Sequence, residues 1–232
     1  MELTPRLKKI ASLVPSGTHT VADIGTDHAY LPVYCILNGI ADSAVAMDVN
    51  SGPLARARES AEKFNLSDKI TLRLSDGINE LEKGEADVIV IAGMGGLLIK
   101  RILEEGKNKI LPGTLLLLQP MIAQRELREY LFSDGYCIEN EYVVSEGNKF
   151  YNIFAVRYGV KSEFDENDTI IGRNLRKNSP DVFEKYAGYK IRILNKIISG
   201  MEKSASLNNA DDVKHELEIF LKELERSRCD ES

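Results

Sequence analysis

The sequence predicts an α/β fold: a mostly parallel, seven-stranded sheet that finishes in an antiparallel hairpin and is followed by an antiparallel pair of helices. Three observations carry the prediction. Short apolar runs alternate with segments of helical periodicity from residue 5 to residue 133, the rhythm of right-handed crossovers between parallel strands. Two of the runs, VIVIA at 88–92 and LLLL at 115–118, are continuously apolar, as strands covered on both faces are. Beyond Gly159 the strand signal stops and two long segments of helical spacing replace it.

Residues 5–14 place Leu7, Ile10, Leu13 and Val14 on one helical face and Lys8 and Lys9 on another; Pro15-Ser16-Gly17 ends the pattern. A strand over 20–24 stops at Gly25, and a helix over 29–39 is closed by Asn38-Gly39. A second strand, 43–48, ends in Asp48. Helix 51–64 carries Pro53 near its start, where the missing N–H costs little. Strand 70–74 leads into Ser75-Asp76-Gly77, and strand 86–92 leads into Gly93-Met94-Gly95-Gly96. Helix 97–105, strand 114–119 and helix 123–133 complete the alternation. Strands 136–144 and 151–158, with a turn at 146–148 and no helix between them, imply an antiparallel hairpin. Residues 162–170 are polar and acidic and read as a linker. The stretch 180–206 is helical, with Phe183, Tyr186, Ile191, Leu194, Ile197 and Ile198 as its apolar stripe. Residues 204–209 read as a turn. Asp211 and Asp212 favour a helix start, and 213–226 repeats the stripe. Two units result, 1–160 and 161–232.

Composition narrows the function classes. The chain has 232 residues, 43% apolar and 28% charged, with net charge −6, which excludes collagen-like, mucin-like and wholly disordered chains. No apolar stretch approaches the ~18 residues of a membrane span. The start, MELTPR, has no apolar run or cleavage pattern. Cys35, Cys137 and Cys229 are odd in number and far apart, so neither a disulfide framework nor a metal site is expected. A cytoplasmic protein is expected, with no membrane and no protein partner, and a monomer rather than a dimer. The acidic balance argues mildly against nucleic acid, yet residues 170–203 hold eight basic and three acidic residues, net +5.

The chemistry concentrates where strands end. The first turn reads Asp23-Ile24-Gly25-Thr26-Asp27-His28-Ala29-Tyr30. A glycine there lets a ligand approach the backbone. Asp48, 23 residues after Gly25, is placed to accept hydrogen bonds from ribose hydroxyls. A dinucleotide turn wants G-x-G-x-x-G, but only Gly25 is present and Asp27 stands where the second glycine should be. A carboxylate there would repel a pyrophosphate. S-adenosylmethionine has no phosphate and carries a sulfonium and an ammonium, which tolerate acids. Asp76 after the third strand is placed to accept from an adenine amino group. Three acids at three consecutive strand ends, with the final hairpin, suit a Rossmann-like class I S-adenosylmethionine-dependent methyltransferase better than a dehydrogenase.

The stretches ADIGTDHAYLP (22–32), IAGMGG (91–96) and LQPM (118–121), with the leading PRLKKIASLVP (5–15), resemble the bacterial TrmK family of tRNA adenine-N1 methyltransferases, which modify tRNA position 22. The resemblance covers residues 3–158 well and the helical hairpin more loosely. It implies an S-adenosylmethionine donor, S-adenosylhomocysteine as product, a tRNA acceptor and a coiled-coil-like C-terminal appendage. It also implies roles. Asp23 and Gly25 lie under the methionine part, and Thr26 to Ala29 offer backbone N–H groups and polar side chains. Asp48 binds ribose with Val49 packing on adenine, while Asp76 and Gly77 hold the adenine edge. Ala92 and Gly93 face the donor methyl, and Arg6 reaches the methionine carboxylate. Gly93, Met94 and Gly95 form a backbone cradle for the target base. Asp27, His28 and Tyr30 hold that base: Asp27 accepts from the amino group as N1 becomes cationic, and Tyr30 stacks. Adenine N1 already has an in-plane lone pair, so positioning dominates the rate, and the base must be extruded to be reached. The basic segment 170–203 supplies a phosphate track, with Lys8 and Lys9 as partners. Two alternatives stay open: a methyltransferase for another RNA or a small molecule, and a non-catalytic nucleotide-binding scaffold.

Overall fold

Six strands running in one direction and one, β7, running against them form a single sheet in the computed structural model, which describes residues 1–160, 163–204 and 210–229. The elements are α1 (Pro5–Leu13), β1 (Thr18–Ile24), α2 (Tyr30–Leu37), β2 (Ala41–Asp48), α3 (Ser51–Lys63), β3 (Ile70–Leu74), β4 (Val88–Met94) and α4 (Gly96–Glu105). They continue as β5 (Leu115–Pro120), α5 (Gln124–Ser133), β6 (Tyr136–Glu146), β7 (Lys149–Tyr158), α6 (Glu166–Ile170), α7 (Leu175–Asn178), α8 (Pro180–Ser204) and α9 (Ala210–Cys229). The sheet order is β3-β2-β1-β4-β5-β7-β6. All pairings from β3 to β5 are parallel, and β7 runs antiparallel to both β5 and β6.

Alternate residues of the central strands feed two cores. Ile24, Val45, Met47, Ile89, Ile91, Leu116 and Leu118 pack with Ile99, Ile102 and Leu103 of α4 and Leu127 and Leu131 of α5. On the other face Val21, Val88, Val90, Leu115 and Leu117 pack with Ile10 and Ala11 of α1 and Leu31 and Cys35 of α2. The period-2 alternation of strands is what sends one set each way. Apolar runs with little polar interruption are therefore the signature of this doubly covered sheet.

Boundaries moved where backbone geometry intervened. Helix α2 starts at Tyr30 because His28 and Ala29 both have positive φ (92° and 50°) and cannot be its first turn. Strand β4 runs two residues past its expected end because a bulge lets Met94 pair with Pro120. The hairpin arms extend to Glu146 and Lys149, leaving a two-residue turn. Of the expected turn at 204–209, residue 204 is the last of α8 and 205–209 lie outside the described residues.

The expected linker at 162–170 is corrected most. Its acids make a helix. Asp165 caps α6 by accepting from the Asp168 N–H (2.9 Å), while Asp168 accepts from the Asp165 N–H (3.3 Å). Beneath it, Arg128 of α5 is 1% exposed and Glu141 of β6 is fully buried. The Arg128 guanidinium donates to both Glu141 oxygens at 2.8–3.1 Å and to the carbonyls of Thr169, Ile170 and Ile171 at 3.1–3.3 Å. Burial pushes the Glu141 carboxyl up, and Arg128 opposes that shift. Phe183, Tyr186 and Leu194 of α8 and Ile219 and Phe220 of α9 then form a third core with Val143 of β6. The two long helices are thus seated on the hairpin side of the sheet.

Candidate active site

Strands β1 to β4 all end on one edge, and sheet growth reverses at β1, between β2 and β4. Open α/β sheets bind ligands in the crevice at such a switch point. Gly25 leaves β1 with φ +75°. That φ strains any side chain, and a Cβ here would also displace the Met94 methyl, which would lie 2.1 Å away. The N–H groups of Gly25 and Thr26 both donate to the Met47 carbonyl at 2.8 Å. That bond pins the turn to β2. It also corrects the expectation that Thr26 turns its backbone N–H to a ligand; its buried hydroxyl, in contrast, has no partner.

Asp23 is partly buried at the end of β1. Loss of solvent pushes its carboxyl up to about 6, and the neighbouring Asp48 charge adds to the shift. The nearby Thr26 hydroxyl acts the other way, although it stays outside hydrogen-bond geometry. A carboxylate held under this strain gains by meeting a cation.

Beside the turn lies a cavity of about 120 Å³ lined by Gly25, Asp48, Val49, Asp76, Gly77 and Met94, with Leu98, Arg101 and Ile102 behind them. Asp48 Oδ1 accepts from the Asn50 N–H at 2.7 Å. That bond holds the carboxylate at the strand end. Asp76 is gripped by both terminal nitrogens of Arg101 at 3.0 and 3.2 Å. Sequence reading missed Arg101 entirely: it lies 25 residues from Asp76, on the next helix but one strand away, and carries no local signal. Gly25, Asp48, Val49, Asp76 and Gly77 thus line one cavity, while Asp23, whose charge is felt by Cys35 of α2, and Thr26 lie beside it at the same strand end.

Residues of the other side separate into two groups. Gly93 is exposed, with φ +78°. Arg6 lies next to it: Nη1 donates to Gln119 Oε1 at 2.7 Å, and the guanidinium stacks 5.0 Å from the Tyr151 ring centre. The Arg6 side chain thus sits at the ends of β4 and β5, beside Gly93, with Tyr151 of β7 against it. Its Nε is buried without a partner. Ala92 packs into the α1-side core. Met94 turns to the opposite face, covers Gly25 and lines the cavity beside the turn.

Asp27, His28 and Tyr30 form the second group. Asp27 Oδ1 accepts from Arg56 Nε at 2.9 Å and from Nη2, and the Asp27 side chain is 66% exposed. The His28 and Tyr30 rings stack at 4.8 Å and 6°. With Arg56, Lys63 and Phe64 they line a groove against α3.

The donor set fits S-adenosylmethionine. Three carboxylates with a buried, unpartnered hydroxyl suit an ammonium, a ribose and an adenine edge. They would repel a pyrophosphate.

Known proteins agree with this geometry. The family model of the tRNA (adenine(22)-N(1))-methyltransferases matches residues 21–224. The tRNA (adenine(22)-N(1))-methyltransferase of Bacillus subtilis is 42% identical over 159 residues, which span 68% of this chain and 66% of that protein. The crystal structure of the B. subtilis m1A22 tRNA methyltransferase TrmK superposes with a TM-score of 0.79 at 33% identity, covering 98% of this chain and 97% of that one. The structure of M. capricolum TrmK with S-adenosylhomocysteine superposes with a TM-score of 0.82 at 27% identity, covering 97% of this chain and 99% of that one. With the family model spanning most of its length and the crevice carrying the acids such a donor needs, the chain belongs to the tRNA (adenine(22)-N(1))-methyltransferase family.

Proposed function

We propose that this chain transfers a methyl group from S-adenosylmethionine to N1 of adenine 22 in tRNA. The observation that carries the reading is the pair Asp48 and Asp76 lining one crevice with Gly25, with Asp23 close enough to feel the Asp48 charge and an exposed Gly93 at the end of β4. Family membership names the acceptor.

Bound S-adenosylmethionine supplies a methyl made electrophilic by its sulfonium. Asp23 meets the ammonium, Asp48 the ribose hydroxyls, and Asp76, oriented by Arg101, the adenine edge. Val49 and Leu98 give the adenine its apolar walls. On the acceptor side the chain has little proton chemistry to perform. The N1 lone pair forms the new bond as the carbon–sulfur bond breaks, and the positive charge passes to the adenine. The exposed backbone at Gly93 receives the extruded base, and the residues behind it hold that backbone still. Asp27, in its ion pair with Arg56, faces the developing charge, and the His28–Tyr30 stack offers an aromatic surface to the RNA. Positioning supplies most of the rate.

Residues 161–232 act in this reading as a tRNA-binding appendage to a catalytic unit of residues 1–160. Lys177, Lys185, Arg192 and Lys196 are exposed, and no ion pair holds them among the described residues. That leaves them for phosphates. A tRNA substrate places the enzyme in the cytoplasm in this reading, working as a monomer. Among the described residues no helix is long and apolar enough to cross a membrane.

Labelled methyl transfer to unmodified bulk bacterial tRNA, followed by nucleoside mass spectrometry, tests the reading. N1-methyladenosine is the expected product. A different methylated nucleoside, or donor binding without RNA methylation, would move the acceptor elsewhere.

A further inference from the structure

Strand β4 breaks the alternation of its own side chains. Ile89 and Ile91 point into the α4–α5 core, and Val90 and Ala92 into the α1–α2 core. Strict alternation would put Met94 with Ala92. Met94 instead lies with Ile91, against the α4–α5 core and over Gly25. The cause is a bulge: Ala92 pairs with Gln119 and Met94 with Pro120, so Gly93 is the unmatched residue. A bulge re-aims the side chains after it, and a slip of one residue exchanges the faces of a strand. Here it does both jobs at once. It sends Met94 to the donor side and leaves the Gly93 backbone bare on the acceptor side.

An unmatched residue needs a partner for its N–H. Gly93 N donates to the side-chain Oε1 of Gln119 at 3.1 Å. The same oxygen accepts from Arg6 Nη1 at 2.7 Å. The amide nitrogen of Gln119 donates to its neighbour's carbonyl, Pro120 O, at 3.1 Å and approaches Met121 Sδ at 3.5 Å. Gln119 is 0% exposed. It is thus a buried polar side chain in an otherwise apolar strand, LLLLQP. Burying an amide there is costly unless both ends are bonded, and each bond made by its oxygen holds a group at the acceptor face.

We propose that Gln119 is the positioning residue of the acceptor site: its side-chain oxygen holds the Gly93 bulge and the Arg6 guanidinium in the geometry that receives the target adenine. This rests on the methyltransferase reading above. The oxygen serves two donors, so an acceptor at that point matters and the amide nitrogen matters less.

The variants Gln119→Leu and Gln119→Glu test it in the full-length chain. Gln119→Leu removes the oxygen; Gln119→Glu keeps it. In Gln119→Leu the expected results are at least tenfold faster amide exchange at Gly93, a kcat for tRNA methylation reduced at least tenfold, and S-adenosylhomocysteine affinity within about threefold of the parent. Gln119→Glu keeps slow exchange at Gly93 and recovers most of kcat. Parental exchange and kcat in a folded Gln119→Leu would overturn the proposal. So would equal losses in both variants that track their melting temperatures, because that is the pattern of a merely structural residue. Should Gln119→Leu not fold, Gln119→Glu decides alone: fast Gly93 exchange or lost kcat in the folded variant overturns it. Should the parent chain methylate no tRNA, the functional reading fails, while Gly93 exchange still decides whether Gln119 holds the bulge.

Discussion

Asp23 is the residue at which stability and function pull apart. Its folded carboxyl titrates near 6, above the unfolded value of 3.8. The folded state therefore holds its proton to higher pH than the unfolded chain does. Between pH 4 and 6 this contribution to stability falls as pH rises, and above pH 6 the full penalty stands. Asp23→Asn removes the penalty: the expected gain at pH 7.5 is on the order of 1–3 kcal/mol, read by denaturant unfolding. The same change weakens S-adenosylhomocysteine binding at least tenfold in calorimetry. In the parent chain the affinity rises about tenfold from pH 5 to pH 7 as Asp23 ionises, and Asp23→Asn flattens that profile. A pH-independent parent would contradict the assignment of Asp23 to the ammonium. Asp27 behaves differently because it is exposed and paired with Arg56. Asp27→Ala costs less than about 1 kcal/mol and leaves donor affinity intact, while turnover on tRNA drops at least tenfold. Equal loss of donor binding and turnover would remove it from the acceptor side. These acids were legible in the sequence because strand ends are legible there. Arg101, Arg56 and the true neighbours of Arg6 were not: each is a long-range pairing with no periodicity to announce it.

Among the elements, α6 shows best how composition misleads. Residues 162–170 look like a linker because they are acidic and polar, yet the acids cap a helix, and the helix's carbonyls complete the coordination of a buried arginine. The Arg128–Glu141 pair joins α5, β6 and α6 at one point. Arg128→Ala leaves Glu141 buried without its cation and is expected to cost about 3–5 kcal/mol, measured by urea unfolding. Replacing both partners, Arg128→Met with Glu141→Leu, is expected to recover most of that loss. A cost below about 1 kcal/mol for Arg128→Ala, the range of an exposed pair, would show that the ion pair does not fix the hairpin to α6. The bulge at Gly93 was equally hidden. Sequence periodicity placed β4 and its glycines correctly, but which way Met94 turns depends on a hydrogen bond from another strand.

For the whole molecule, the doubly wound sheet and the helical pair were readable because burial on two faces leaves unbroken apolar strands and burial on one leaves stripes. Less readable was the seam. Val143 and Phe150 of the hairpin share a core with α8 and α9, so deleting residues 163–232 would strip an apolar face and expose Glu141. Point changes test RNA binding more cleanly. Replacing Lys185, Arg192 and Lys196 by alanine is expected to lower tRNA affinity and to reduce the salt dependence of binding by roughly one unit of slope per lost phosphate contact, with melting temperature and donor affinity unchanged. An unchanged slope would return the basic face of α8 to a solvated role. The proposed reaction comes down to one atom of one nucleotide. The most direct measurement is methylation of two matched tRNA transcripts, one with adenine and one with guanine at position 22, with the methylated nucleoside mapped by mass spectrometry. N1-methyladenosine at position 22 of the first transcript and no methylation of the second is the predicted result. Equal methylation of both, or methylation at another atom or position, would contradict it.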